Sequence, residues 1–401
     1  MPPNVYDTLC ERGFVYQVSD EAALRIALER PVTLYWGFDP TAPSFHAGSL
    51  IGLMMLAWFQ RFGHRPIGLG GGGTALIGDP SGKSSMRRVL SREEIDANLP
   101  PMQRQLARYL DFEADRALVL NNADWLTKLN YIDFLRDIGR HFSVNHMLAA
   151  EVYKTRLESG LNFVEFNYML LQAYDFLHLY RTQGCTLQVG GSDQWSHILQ
   201  GVDLIRREER AEAFGLVTEL LTTASGQKMG KTEKGAVWLD PALTSPYDFY
   251  QFWINAEDAD VERFLALFTF LPMDRVRALG ALQGADLRQA KEVLAFEATA
   301  ITHGEQEAVQ ARDTSLALFS GSGSVGDAAP TFEVDAGRLS SGIPVHELFA
   351  EAFGKSRREA REVIQAGGAY LDGAPVGLGQ LIAAPAMLRW GKKDYRRLVA
   401  A

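Results

Sequence analysis

The chain has 401 residues, too many for one ordinary hydrophobic core, and predicts two or three domains. Its 47% hydrophobic and 22% charged residues are those of a globular protein, which excludes fibrous and disordered classes. A net charge of −9 repels a polyanion unless basic residues are concentrated locally, and from residue 355 onward nine basic side chains face four acidic ones, a balance of +5.

The N-terminal residues lack the basic and apolar stretches of a secretory signal, so the cytoplasm is the expected location. Val32 to Trp36 reads as a strand, and the apolar run Leu50 to Phe59 reads as a buried helix, far short of the roughly 20 residues of a membrane span. Arg65 to Leu69 is a second strand, followed by glycines. Residues from about 125 to 180 read mostly as helices, and Thr186 to Val189 is a third strand, ending at Gly190 and Gly191. Strands alternating with helices predict a parallel α/β sheet with ligand-facing turns at the carboxyl ends of its strands. Pro246 to Phe319 carries apolar residues at helical spacing and predicts an all-helical domain, and Gly321 to Gly326 begins a flexible linker. Cys10 and Cys185 lie far apart and form neither a disulfide framework nor a zinc pattern, so no protein-held metal is expected.

Two glycine-rich segments imitate nucleotide motifs. Gly68 to Gly73 fits a dinucleotide fingerprint with Glu93 at the distance of its acid, but five glycines in six residues satisfy many spacings and the segment does not open the fold. Gly78 to Ser84 resembles a P-loop with one residue too few between its outer glycines.

The chemistry rests on a different set. Pro40 to Ser49, with Thr41 and His46, lies between a strand and a helix, where free backbone N–H groups favour phosphate. Lys228-Met229-Gly230-Lys231-Thr232 puts two lysines in a loop suited to clamp pyrophosphate. Tyr168, Gln172 and Asp175 stand four and three residues apart, on one face of a helix otherwise rich in apolar residues.

His46-Ala47-Gly48-Ser49 resembles the HIGH motif and Lys228 to Thr232 the KMSKS motif of class I aminoacyl-tRNA synthetases, in that family's order. The blocks Phe166 to Asp175 and Gln188 to Trp195 resemble the bacterial tyrosyl branch, and the resemblance covers nearly the whole chain. It implies a Rossmann-like catalytic domain over residues 1–224 with a helical insertion near 125–165. A catalytic-loop segment and helical anticodon-side domain over 225–320, a linker over 321–334 and a small alpha-L RNA-binding domain over 335–401 follow. It implies that Asp79, Tyr168 and Gln172 hold the substrate ammonium and that Tyr35 and Asp175 bond its phenolic hydroxyl. Gln194 approaches the reacting carboxylate; Gly191 and Asp193 meet the ribose; Gly37 and Asp39, with Gly48 and Ser49, line the ATP site.

Thr41, His46, Lys83, Arg87, Lys228 and Lys231 would gather around the pyrophosphate. Arg357, Arg358, Arg361, Lys392 and Lys393 would contact RNA. The implied partners are L-tyrosine, ATP with Mg2+, tRNA(Tyr) and a second copy of the chain. Two departures stand out: Ser49 replaces the last histidine of HIGH, and Gly230 and Thr232 replace the serines of KMSKS. A tryptophanyl enzyme, a catalytically silent RNA-binding protein and an NAD oxidoreductase are the alternatives. The Tyr168 to Asp175 block, the lysine pair and the lack of an opening dinucleotide fingerprint disfavour them in turn.

Overall fold

The computed structural model describes residues 4–81, 90–226, 229–232, 235–320, 330–391 and 394–401. They form two compact units, residues 1–244 with 252–302 and residues 245–251 with 303–401.

The first unit is built on a six-stranded sheet of β1 (Gln17–Val18), β2 (Thr33–Phe38), β3 (Arg65–Gly70), β4 (Leu118–Asn121), β5 (Cys185–Gly191) and β6 (Phe214–Thr218). Its spatial order is β1-β6-β5-β2-β3-β4, with only the β1–β6 pair antiparallel. The three strands read from the sequence are β2, β3 and β5. From β2 the chain winds outward through β3 and β4, then returns to β5 on the other side, so the strand order reverses between β2 and β5. A crevice opens at such a switch point, beyond the carboxyl ends of the two strands.

Helix Leu50–Arg61 follows β2 and is buried over most of its surface, as its nearly all-apolar sequence requires. Trp36 presses on Gly52 so closely that a Cβ there would stand 2.5 Å from the indole. Helix Tyr168–Gln183 packs on helix Trp195–Glu209, with Phe176 against Gly201. The glycines that imitate a dinucleotide fingerprint serve close packing instead: Gly68 receives Leu106, Gly70 receives Leu99, and Gly71 and Gly72 receive Asp39 and Asn121. Only the short 3-10 turn Thr74–Leu76 follows them, in place of a phosphate-binding helix.

Arg12 fastens the N-terminal helix Val5–Arg12 to the helical segment around Val261–Phe268. Its guanidinium donates to the carbonyls of Ala266 (2.8 Å), Thr269 (3.0 Å) and Leu271, and lies 4.1 Å over the Trp58 ring. Those carbonyls end a helix and have no intrahelical donors, so a buried cation suits them. The predicted helical stretch is observed as Pro246–Ile254, Val261–Phe268, Met273–Gly280, Leu287–His303 and Glu305–Ser320, and it is divided between the two units.

The second unit contains a five-stranded sheet in the order Ala374–Pro375, Ala369–Leu371, Ala386–Trp390, Asp394–Ala400, Thr331–Val334. Helices Val345–Ala352 and Arg357–Gln365 belong to the same core, through Leu348, Phe349, Ala360 and Ile364 with Leu388 and Leu398. Ser356 and Glu359 form a capping box at the start of the second helix. The segment expected to be a linker needs correction. Residues 321–329 lie outside the described residues, but Thr331–Val334 is a strand paired in parallel with residues 397–400 and belongs to this sheet.

Candidate active site

At the switch point a cavity of about 360 Å³ is lined by Tyr35, Gly37 and Asp39 from the β2 end and by Gly190, Gly191, Asp193 and Gln194 from the β5 end. Gly48 and Ser49, Asp79, and the row Tyr168, Gln172 and Asp175 complete the predicted residues found on its wall. The spacing argument for the helix face therefore holds: all three side chains meet the same space.

A hydrogen-bonded circuit begins and ends on that helix. Asp175 accepts from Asn122 Nδ2 (2.8 Å) and Trp125 Nε1 (2.7 Å). Asn122 also donates to Thr74 Oγ1 at 3.0 Å, Thr74 donates to Asp39 at 2.8 Å, and the Tyr168 hydroxyl returns to Asp39 at 3.2 Å. The circuit holds two carboxylates in place with donors rather than cations. No motif in the sequence singles out Asn122, Trp125 or Thr74. The signal available for them was polar residues following β3 and β4, the position where ligand-facing groups collect.

Asp175 is 2% exposed. Burial raises its pKa to about 7, against the opposing effect of the Asn122 and Trp125 hydrogen bonds. Tyr35 is 1% exposed, and its hydroxyl has no partner among the described residues. Burial, reinforced by the Asp175 charge, pushes its ionisation well above the usual range, so it stays an O–H donor. Gln188, register partner of Tyr35 across β2 and β5, also lines the cavity, and its Oε1 has no partner among the described residues.

Asp79 and Gln194 are predicted separately and found joined: Gln194 Nε2 donates to Asp79 Oδ2 at 2.9 Å, while the Ser81 N–H donates to Oδ1 at 2.8 Å. Burial and the Asp79 charge raise the pKa of Asp193.

The two signature loops touch. His46 Nδ1 accepts from the Gly48 N–H at 3.0 Å, and a Cβ on Gly48 would stand 2.9 Å from the Met229 carbonyl. Gly230 has φ +78°, and a Cβ on it would stand 2.5 Å from the Gly48 nitrogen. Val237 stitches the loops further, donating to Gly230 O at 3.0 Å and accepting from the Ala47 N–H at 2.8 Å. His46 and Thr41 are not among the cavity-lining residues; His46 instead caps the turn Ala47–Ser49 that presents Gly48 and Ser49. The Lys231 backbone pairs with Ala236. Lys83, Arg87, Lys228, Lys392 and Lys393 lie outside the described residues. Arg357 and Arg358 are exposed but paired with Glu347 (3.1 Å) and Glu362 (2.9 Å), and Arg361 meets His346 at 3.2 Å.

Residues 27–320 match the family described as tRNA synthetases class I (W and Y). The tyrosine--tRNA ligase of Syntrophus aciditrophicus is 54% identical over 98% of both chains. That of Caldanaerobacter subterraneus is 52% identical over 99% of both. The crystal structure of a C-terminally truncated mitochondrial tyrosyl-tRNA synthetase from Aspergillus nidulans superposes with a TM-score of 0.71 at 32% identity, covering 79% of this chain and 94% of that one. By matches of this length and identity, the chain belongs to the class I aminoacyl-tRNA synthetases, in the bacterial-type tyrosyl branch.

Proposed function

We propose that the chain activates L-tyrosine with ATP, releasing pyrophosphate, and then transfers the tyrosyl group to the terminal ribose of tRNA(Tyr). The observation that carries the amino-acid choice is the pair Tyr35 and Asp175: a buried, unpartnered hydroxyl and a buried carboxylate in one cavity. A phenol hydroxyl can satisfy both, as donor to one and acceptor from the other. A substrate without it leaves the Tyr35 hydroxyl unpaired and gives the buried Asp175 carboxylate no donor beyond Asn122 and Trp125, a rule of which tyrosyl enzymes are themselves the standard illustration. Asp79, with Tyr168 and Gln172, supplies negative charge and acceptors for the ammonium.

The tyrosine carboxylate is already ionised and attacks the α-phosphate without a general base. Catalysis then consists of alignment and of cations at the departing pyrophosphate. Gln194 orients the carboxylate, and Gly191, Asp193, Gly37, Asp39, Gly48 and Ser49 receive the nucleotide. The family resemblance assigns Thr41, His46, Lys83, Arg87, Lys228 and Lys231 to the pyrophosphate. Among the described residues no three His, Cys, Asp or Glu side chains converge as a metal site, and Mg2+ is read as carried in on the ATP phosphates.

The reaction works in the cytoplasm as a homodimer. Support for the second copy is the apolar surface of helices within residues 131–166, where Ile132 is 67% and Phe163 68% exposed. No helix among the described residues is long and apolar enough to cross a membrane. Charging of tRNA(Tyr) with labelled tyrosine tests the reading: accumulation of tyrosyl-tRNA supports it, and charging of tRNA(Trp) with tryptophan instead would contradict it.

A further inference from the structure

His197 lies in helix Trp195–Glu209, directly after the turn that carries Gln194, and is wholly buried at 0% exposure. Its Nε2 is 3.1 Å from Ser81 Oγ and 3.7 Å from Asp79 Oδ1, while Nδ1 has no partner among the described residues. The rings of Tyr168 and Tyr153 stand beside it, with centroids at 5.5 and 6.3 Å. A buried imidazole with one nitrogen unsatisfied is a poorer interior residue than leucine or methionine. Packing therefore does not account for it, and the group on its other nitrogen does.

That group is Ser81, whose N–H holds Asp79 Oδ1 while Gln194 holds Oδ2. The Asp79 carboxylate is thus oriented from both sides by residues at the start of one helix, directly through Gln194 and indirectly through His197 and Ser81. We propose that His197 is a positioning residue for amino-acid binding, fixing Ser81 and through it Asp79 in the orientation that receives the substrate ammonium. The proposal rests on the reading of Asp79 as the ammonium acceptor.

The test compares the KM for tyrosine in pyrophosphate exchange with the inhibition constant of 3-(4-hydroxyphenyl)propanoate, which keeps the phenol and carboxylate but lacks the ammonium. His197→Leu should raise the KM for tyrosine roughly tenfold and leave the inhibition constant within about twofold. His197→Asn, whose amide can donate to Ser81, should restore most of the loss. Ser81→Ala cuts the same link without altering the buried helix and should reproduce it, which keeps the test available if His197→Leu does not fold. Equal weakening of both ligands, or an unchanged KM in the Ser81 and His197 variants while Asp79→Asn raises it, would overturn the role of His197. An unchanged KM in Asp79→Asn would overturn the ammonium reading and the proposal with it.

Discussion

At Asp175 a carboxylate is kept near half ionisation at neutral pH because burial outweighs two good hydrogen bonds. A phenol that donates to it favours the ionised form, so tyrosine binding should tighten as pH rises from 6 to 8 and release protons near pH 7. Calorimetry in buffers of different ionisation enthalpy checks this, with the release absent in Asp175→Asn. Folding stability responds with the opposite sign. An unfolded aspartate titrates near about 4, so between about 4 and about 7 the folded chain holds a proton that the unfolded chain has lost. This group's contribution to stability therefore falls as pH rises through that window. Tyr35→Phe removes the unpartnered hydroxyl with little change of volume. It should weaken selection of tyrosine over phenylalanine by about tenfold or more, read from the ratio of kcat/KM values, with the melting temperature nearly unchanged.

Among the elements, the contact of the two signature loops depends on glycine. Gly230 sits at φ +78° with the Gly48 nitrogen where a Cβ would point, so Gly230→Ala must both strain the backbone and part the loops. Activation should slow by roughly one to two orders of magnitude with the fold retained, as measured by pyrophosphate exchange beside circular dichroism. Arg12→Ala acts on packing instead, leaving three carbonyls without this donor and removing the nearer of the two guanidinium groups over Trp58. It should destabilise the protein by about 3 kcal/mol in denaturant titration.

Much of this layer was legible because its signals are local: β2, β3 and β5 announce themselves as short apolar runs, and the Tyr168 to Asp175 face by its spacing. What was not legible is made by distant residues. Asn122 and Trp125 reach Asp175 from some fifty positions upstream, and Thr331–Val334 becomes a strand only because the C-terminal strand passes beside it. The packing role of the glycines of 68–73 is hidden for the same reason, since the side chains that require them, Leu99, Leu106 and Asp39, lie on other elements.

Over the whole molecule, the cavity with its circuit belongs to the first compact unit, and the basic C-terminal sheet to the second. A chain ending at Ser320 loses that sheet entire, including Thr331–Val334. It should retain adenylate formation and lose most tRNA charging, a division checked by running both assays on the same truncated protein. RNA phosphate bound at Arg357 and Arg358, as the family resemblance implies, would displace Glu347 and Glu362, and charging should weaken with added salt.

Selection of tyrosine by its hydroxyl in this cavity is tested most directly by pyrophosphate exchange into ATP, with Mg2+ and without tRNA, across the full set of amino acids. Exchange supported by tyrosine, with phenylalanine and tryptophan far behind, is the predicted result. Exchange led by tryptophan, or equal for tyrosine and phenylalanine, would contradict it.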